Sequence, residues 1–183
     1  MIACVDSRVA PEVIFDADPG EMVVVRNVAN LVPPYQPDAG YHGTSAAIEF
    51  AVRVLEVRDI VVLGHAGCGG VAAFRTNARI QREGAGPGVV PHDFVSQWMA
   101  MLAPATALAC EAVAPGADPL DDAVAMELAG IRQSLVNLRS FPWLADREAA
   151  RQLRLHGLWF DVHDGAIRVL DEPSGEFRPL DRG

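Results

Sequence analysis

Apolar residues along the chain follow two rhythms. Short unbroken runs, "MIACV" (1–5), "MVVVRN" (22–27) and "DIVVLG" (59–64), have the continuous character of parallel strands covered on both faces. Elsewhere the apolar positions recur every three or four residues, as on one side of a helix. Pro11 opens a short helix in "PEVIFD", and "DPGE" (18–21) is a turn. The Pro- and Gly-rich stretch 31–43 is a loop, after which Thr44 or Ser45 caps a helix carrying Ala47, Ile48, Ala51, Val52 and Leu55. Another helix starts near Gly69 and Gly70 and gives way to a loop over 82–91. Residues 93–113 are helical with a break near Pro104, and 114–122 form a loop. The next helix presents Val124, Leu128, Ile131, Leu135 and Leu138 on one face, a stripe read as core. Asp121 and Asp122 sit at its start, Arg139 lies at its end, and Pro142 stops it. "LHGLWFDVHDGAIRVLD" (155–171) is a hairpin turning at Asp164-Gly165. This order of elements predicts an α/β fold, a mostly parallel central sheet flanked by helices on both faces.

Composition narrows the function. A chain of 183 residues, half of them hydrophobic, suits a single domain over 1–183 with a sizeable core. A formal net charge of −9 argues against nucleic acid or an anionic membrane surface as partner. No apolar run reaches the ~18 residues of a membrane span, and "MIACVDSRVA" lacks the pattern of a signal peptide. Cys4, Cys68 and Cys110 are too few for a disulfide framework, which points to a cytoplasmic setting with free thiols. Cys110, in an Ala-rich helical stretch, reads as core.

Two short segments carry the chemistry. In such sheets ligands bind beyond the carboxyl ends of the strands. "CVDSR" (4–8) leaves the first strand at that edge and "GHAGCGG" (64–70) leaves the third. If those strands are neighbours, Cys4, His65 and Cys68 converge, and two thiolates with one imidazole suit Zn²⁺ with a fourth position open. Asp6 can take that position or accept a hydrogen bond from a zinc-bound hydroxide, and Arg8 can hold the Asp6 carboxylate away from the metal. The glycines around Cys68 permit a tight turn and leave amide N–H groups for the thiolates. A phosphate-binding reading of the Gly-rich turn is discounted, because the Lys-Ser/Thr of a P-loop is missing.

In their order along the chain, "CVDSRV", "PGE", "VRNVANLV", "AAIEFAV", "VLGHAGCGGV", "SLVNLRSFPWL" and "LHGLWFDVHDG" resemble the β-class carbonic anhydrases, nearest their plant-like bacterial branch. The resemblance runs from Cys4 to about Ile167. It implies reversible hydration of CO2 to bicarbonate by attack of zinc-bound hydroxide, with one Zn²⁺ per chain on Cys4, His65 and Cys68. Asp6 would orient the hydroxide, and Arg8 would restrain Asp6. The substrate pocket would fall to Val23, Val28, Phe50 and Gly69, with Val23 smaller than the aromatic residue often found there. Family members carry a helical arm before the first cysteine, and only Met1, Ile2 and Ala3 precede Cys4, so the arm is expected to be absent here. The inhibitory bicarbonate site of some members is also expected to be absent, since its positions fall on Met1, Arg26 and Phe160. The family forms dimers with the active site at the interface, which implies a homodimer or higher assembly. Two alternatives stay open: a CS2 or COS hydrolase on the same zinc site, and a zinc-binding assembly protein with little catalysis.

Overall fold

In a computed structural model that describes residues 1–84 and 93–180, β1 (Ile2–Cys4) lies between two parallel neighbours, β2 (Val25–Asn27) and β3 (Asp59–His65). β4 (Arg154–Phe160) joins β3 in parallel, and β5 (Ile167–Asp171) and β6 (Glu176–Pro179) continue antiparallel. The strand order is β2-β1-β3-β4-β5-β6. The helices are α1 (Pro11–Ile14), α2 (Gly43–Glu49), α3 (Gly69–Glu83), α4 (Val95–Met99), α5 (Ala105–Ala112), α6 (Ala123–Leu138) and α7 (Pro142–Ala149). The expected architecture is therefore present. Among the described residues no helix is long and apolar enough to cross a membrane.

Alternation along the strands sorts the core. Ile2, Ile60, Val62, Leu155 and Trp159 point to one face, where they meet Ile48 and Val52 of the α2 segment, Ile131, Leu135 and Leu138 of α6, and Leu144 of α7. Ala3, Leu63 and Leu158 point to the other, against Ile14 and Phe15 at the end of α1. α6 lies close on the first face because two strand positions lack side chains. A Cβ on Gly64 would sit 2.7 Å from Ile131 Cδ1, and one on Gly157 would sit 2.9 Å from Ile131 Cγ2. α6 also reaches a second cluster through Ala125, Met126 and Ala129, together with Leu102, Ala105 and Ala109.

Several local expectations are corrected. Strand β2 is shorter than 22–27, since its ladder pairing with β1 covers only Val25–Asn27. Neither Thr44 nor Ser45 caps α2; the helix starts at Gly43, and Thr44 Oγ1 instead accepts from Asn27 Nδ2 at 3.3 Å. α2 continues into a wider turn over Phe50–Val54, which leaves Leu55 exposed. Asp122 is the cap of α6 as expected, accepting from Ala125 N. The buried side of α6 is broader than the predicted stripe, and Val124 lies outside it at 37 % exposure, since the helix is packed on two flanks. Pro142 does not merely stop α6; its fixed φ starts α7. α7 and β6 were not expected. Cys110 is exposed, because α5 turns its Ala105–Ala109 side inward. The hairpin turns at Gly165, whose φ is +73°. The predicted break near Pro104 falls between α4 and α5. Most of the predicted loop 82–91 lies outside the described residues.

Candidate metal centre

The β1–β3 register pairs Ile2 with Val62 and Ala3 with Leu63, so Cys4 comes level with the end of β3. β3 then delivers His65 as its last residue, and a turn through Gly67, with φ +66°, brings Cys68 back as the cap of α3. The result is three buried side chains whose ligand atoms lie within 4.8 Å of one another. The two sulfurs are 4.0 Å apart. His65 Nδ1 donates to the Ala66 carbonyl at 3.0 Å, which fixes the tautomer and leaves the lone pair on Nε2. Nε2 is buried and has no hydrogen-bond partner.

An acceptor atom left buried without a protein partner beside two thiols is a mismatch for a pure core and a match for a divalent cation. The two sulfurs lie close enough for one thiol to hydrogen-bond the other. Cys4 is pulled below the usual thiol range, first by the hydrogen bond from Cys68, and Cys68 is pushed up, first by that same bond and then by burial. A Zn²⁺ ion would let both ionise, and the donor set fits zinc.

Asp6 does not join the three ligands. Arg8 holds it instead, with Nε on Oδ1 at 3.0 Å, Nη2 on Oδ2 at 2.7 Å and the Arg8 main-chain N on Oδ1 at 3.0 Å. These bonds, the Arg8 side chain first, keep the Asp6 carboxyl well below the usual carboxylate range. Arg8 Nη2 also donates to the Gly67 carbonyl at 3.2 Å, which ties the segment after β1 to the turn after β3. Arg26 supports β1 from the other side, with Nε on the Cys4 carbonyl at 2.9 Å.

The turn after β2 forms a wall of the centre. Ala29 and Asn30 are both left-handed, with φ +61° and +48°. Neighbouring bonds hold this conformation: Asn27 Oδ1 accepts from Leu31 N at 2.9 Å, Ser134 Oγ donates to Asn30 O at 3.2 Å, and Trp98 Nε1 donates to Val28 O at 2.8 Å. Val28 packs in the same apolar cluster as Cys4 and Cys68. Gly69 is the exposed first residue of α3, with open space where a Cβ would be. Val23 lies at the opposite, amino edge of the parallel strands, lining a cavity of about 340 Å³ with Met1, Ile48 and Asp59. Phe50 follows α2 at 52 % exposure. Of the nine predicted site residues, the structure gathers Cys4, Asp6, Arg8, Val28, His65, Cys68 and Gly69, and sets Val23 and Phe50 apart on the surface of the chain.

One residue at the centre was missed. Glu127 of α6 is buried at 4 % exposure, with Oε1 accepting from Cys68 N at 3.1 Å and Oε2 from Trp159 Nε1 at 3.0 Å. Burial pushes its carboxyl up, against the pull of these donors. The signal was present in the sequence as a lone acid between Val124 and Ile131, three and four residues away along the helix stripe.

Comparison with known proteins places the chain in a family. The model of the carbonic anhydrase family matches residues 1–167. A carbonic anhydrase of Pseudomonas aeruginosa is 39% identical over 179 residues, covering 98% of this chain and 76% of that protein. The mitochondrial beta carbonic anhydrase 6 of Arabidopsis thaliana is 33% identical over 91% of this chain, which spans 54% of that relative's length. Among solved structures, the beta-carbonic anhydrase CcaA superposes with a TM-score of 0.79 at 26% identity, covering 98% of this chain and 82% of that one. A tetrameric beta-carbonic anhydrase of Sordaria macrospora gives 0.73 at 29% identity, with 93% and 78% covered. An ordered match over most of the chain, together with a shared fold, makes this protein a member of the carbonic anhydrase family, in its beta class.

Proposed function

We propose that the chain catalyses the reversible hydration of CO2 to bicarbonate and a proton, with one Zn²⁺ held by Cys4, His65 and Cys68. The observation that carries this reading is the unpartnered His65 Nε2 facing two thiols, beside an aspartate already held by arginine. Zinc in such a site supplies an activated water, its pKa lowered to about 7.

The chain's own groups do the rest. The Ala66 carbonyl keeps the His65 ring in the tautomer that ligates. Asp6, ionised and restrained, is placed to accept a hydrogen bond from the nucleophile and orient its lone pair toward the substrate. Arg8 keeps that carboxylate from becoming a ligand itself. Val28 gives CO2 an apolar wall near the ligands, and Gly69 leaves room at the start of α3. Val23 and Phe50 complete the apolar surroundings from a second copy of the chain, consistent with their exposure. Self-association is supported further by exposed Val5, Val13, Val54 and Leu55. Three free cysteines suit a reducing, cytoplasmic setting.

The test is stopped-flow CO2 hydration on metal-quantified protein beside Cys68→Ser. One zinc per chain with rapid hydration in the parent, and loss of both in the variant, is the expected result. A parent that carries zinc yet leaves CO2 unhydrated would refute the proposed reaction.

A further inference from the structure

The peptide bond between Gly67 and Cys68 is gripped at both edges. Its carbonyl accepts from Arg8 Nη2 at 3.2 Å, and its N–H donates to Glu127 Oε1 at 3.1 Å. A peptide unit is planar, so rotating it would break both bonds together. The orientation is electrostatically consistent, with the carbonyl end on a cation and the N–H end on a carboxylate. Glu127 is held in turn by the buried Trp159 indole, whose N–H occupies Oε2 at 3.0 Å. The outer face of that indole is covered by the Arg168 guanidinium, 4.9 Å from the ring centroid.

A carboxylate suits this position for a definite reason. Both partners are donors, and a group with two acceptor oxygens satisfies both at once. Glutamine has one acceptor oxygen, and its NH2 would face a donor. An apolar residue would leave two buried N–H groups unpaired. Burying an acid on an otherwise apolar helix stripe is unfavourable in itself, so its presence calls for a compensating role.

We propose that Glu127 is a positioning residue for the metal centre: with Arg8 it clamps the Gly67–Cys68 peptide and thereby fixes where the Cys68 thiol points. The inference rests on the zinc reading of Cys4, His65 and Cys68. It adds that Glu127, 59 residues from Cys68 in sequence, sets the geometry of one ligand without touching the metal. It also joins the Asp6–Arg8 pair to α6 through a single peptide unit.

The experiment measures zinc affinity by chelator competition, and the absorption of the Co²⁺-substituted protein, in the parent, Glu127→Gln and Trp159→Phe. Glu127→Gln is expected to weaken zinc binding by about tenfold or more and to shift the thiolate-to-cobalt band. Trp159→Phe keeps the Cys68 bond and frees only Oε2, so it is expected to weaken binding less, by about threefold. A merely structural glutamate would lower the stability of the metal-free protein and leave the cobalt spectrum in place. Affinity within twofold of the parent with an unchanged spectrum in Glu127→Gln overturns the clamp. If that variant does not fold, Trp159→Phe decides by the same two readouts. A parent that binds no zinc overturns the clamp and the zinc reading together. A parent that binds zinc without hydrating CO2 overturns only the proposed reaction, because the clamp is judged on binding and spectrum alone.

Discussion

Asp6 and Arg8 show how two residues of one short segment are given separate duties. The carboxylate is 20 % exposed and the guanidinium 52 %, so the pair sits at the mouth of the centre while the three candidate ligands lie beneath it. Its bidentate geometry, not mere charge attraction, aims the carboxylate. Arg8→Ala removes both side-chain bonds and leaves only the main-chain one, freeing Asp6 to swing toward the metal; CO2 hydration is expected to fall by about 100-fold in stopped-flow assays. The same change should move the Asp6 titration. In the parent its folded pKa is depressed below the ordinary 3.8, so the pair's contribution to stability is present above that value and is lost as pH falls through the lower folded one. In Arg8→Ala that titration should return toward 3.8, as read by carboxyl carbon NMR. These residues were legible from the sequence because Cys-x-Asp-x-Arg and His-x-x-Cys each follow an apolar strand. Glu127 was legible only as a lone acid on the stripe; its role depends on α6 lying across the turn after β3, a tertiary fact that helical periodicity does not contain.

At the level of elements, α6 is the organising piece. It lies over β3 and β4 because Gly64 and Gly157 leave the sheet surface open beneath Ile131. Its Ser134 and Asn137 bond the loop after β2, with Asn137 Nδ2 on Val32 O at 2.7 Å, and its Glu127 bonds the turn after β3. A small displacement of α6 is therefore felt at two walls of the centre. Gly157→Ala would place a methyl 2.9 Å from Ile131 Cγ2 and 3.2 Å from Leu135 Cδ1. It is expected to destabilise the fold by about 1–3 kcal/mol, measured by denaturant unfolding, as overpacking of a filled core does. The helix itself was readable from spacing and from its Asp122 cap. α7 was missed because a proline read as a terminator serves equally as a first helical residue, and only the packing of Phe141 and Leu144 into the core decides between the two. β6 was missed because "EFRP" gains strand character only from pairing with β5.

For the whole molecule, the metal is expected to matter to stability as well as to chemistry. Cys4 and Cys68 stand 64 residues apart, on β1 and at the start of α3, so the ligand set exists only once the sheet is assembled. Zinc at 1,000 times its Kd should then stabilise the folded chain by about 4 kcal/mol, and a chelator should lower Tm accordingly in thermal scans. An unchanged Tm would count against a site completed by folding. The order of elements indicated an α/β fold and the charge an acidic one, but neither indicated which apolar positions remain on its surface. The exposure of Val23 and Phe50 follows from their placement on a sheet edge and a helix end, which the pattern of apolar residues cannot distinguish from burial.

The strand order bears on how the chain is made. β3 sits beside β1, which is synthesised well before it, and beside β4, whose register pairs Asp59 with Arg154, 95 residues later. At ribosomal rates of about 5–20 residues per second, β3 waits roughly 5–20 seconds for that neighbour. Through this interval the edge formed by Ile60, Val61, Val62 and Leu63 is open and apolar, and the stripe of α6 that will cover it is also still emerging. The candidate metal centre is thus built on a strand whose apolar edge stays unpaired while about 95 further residues are made.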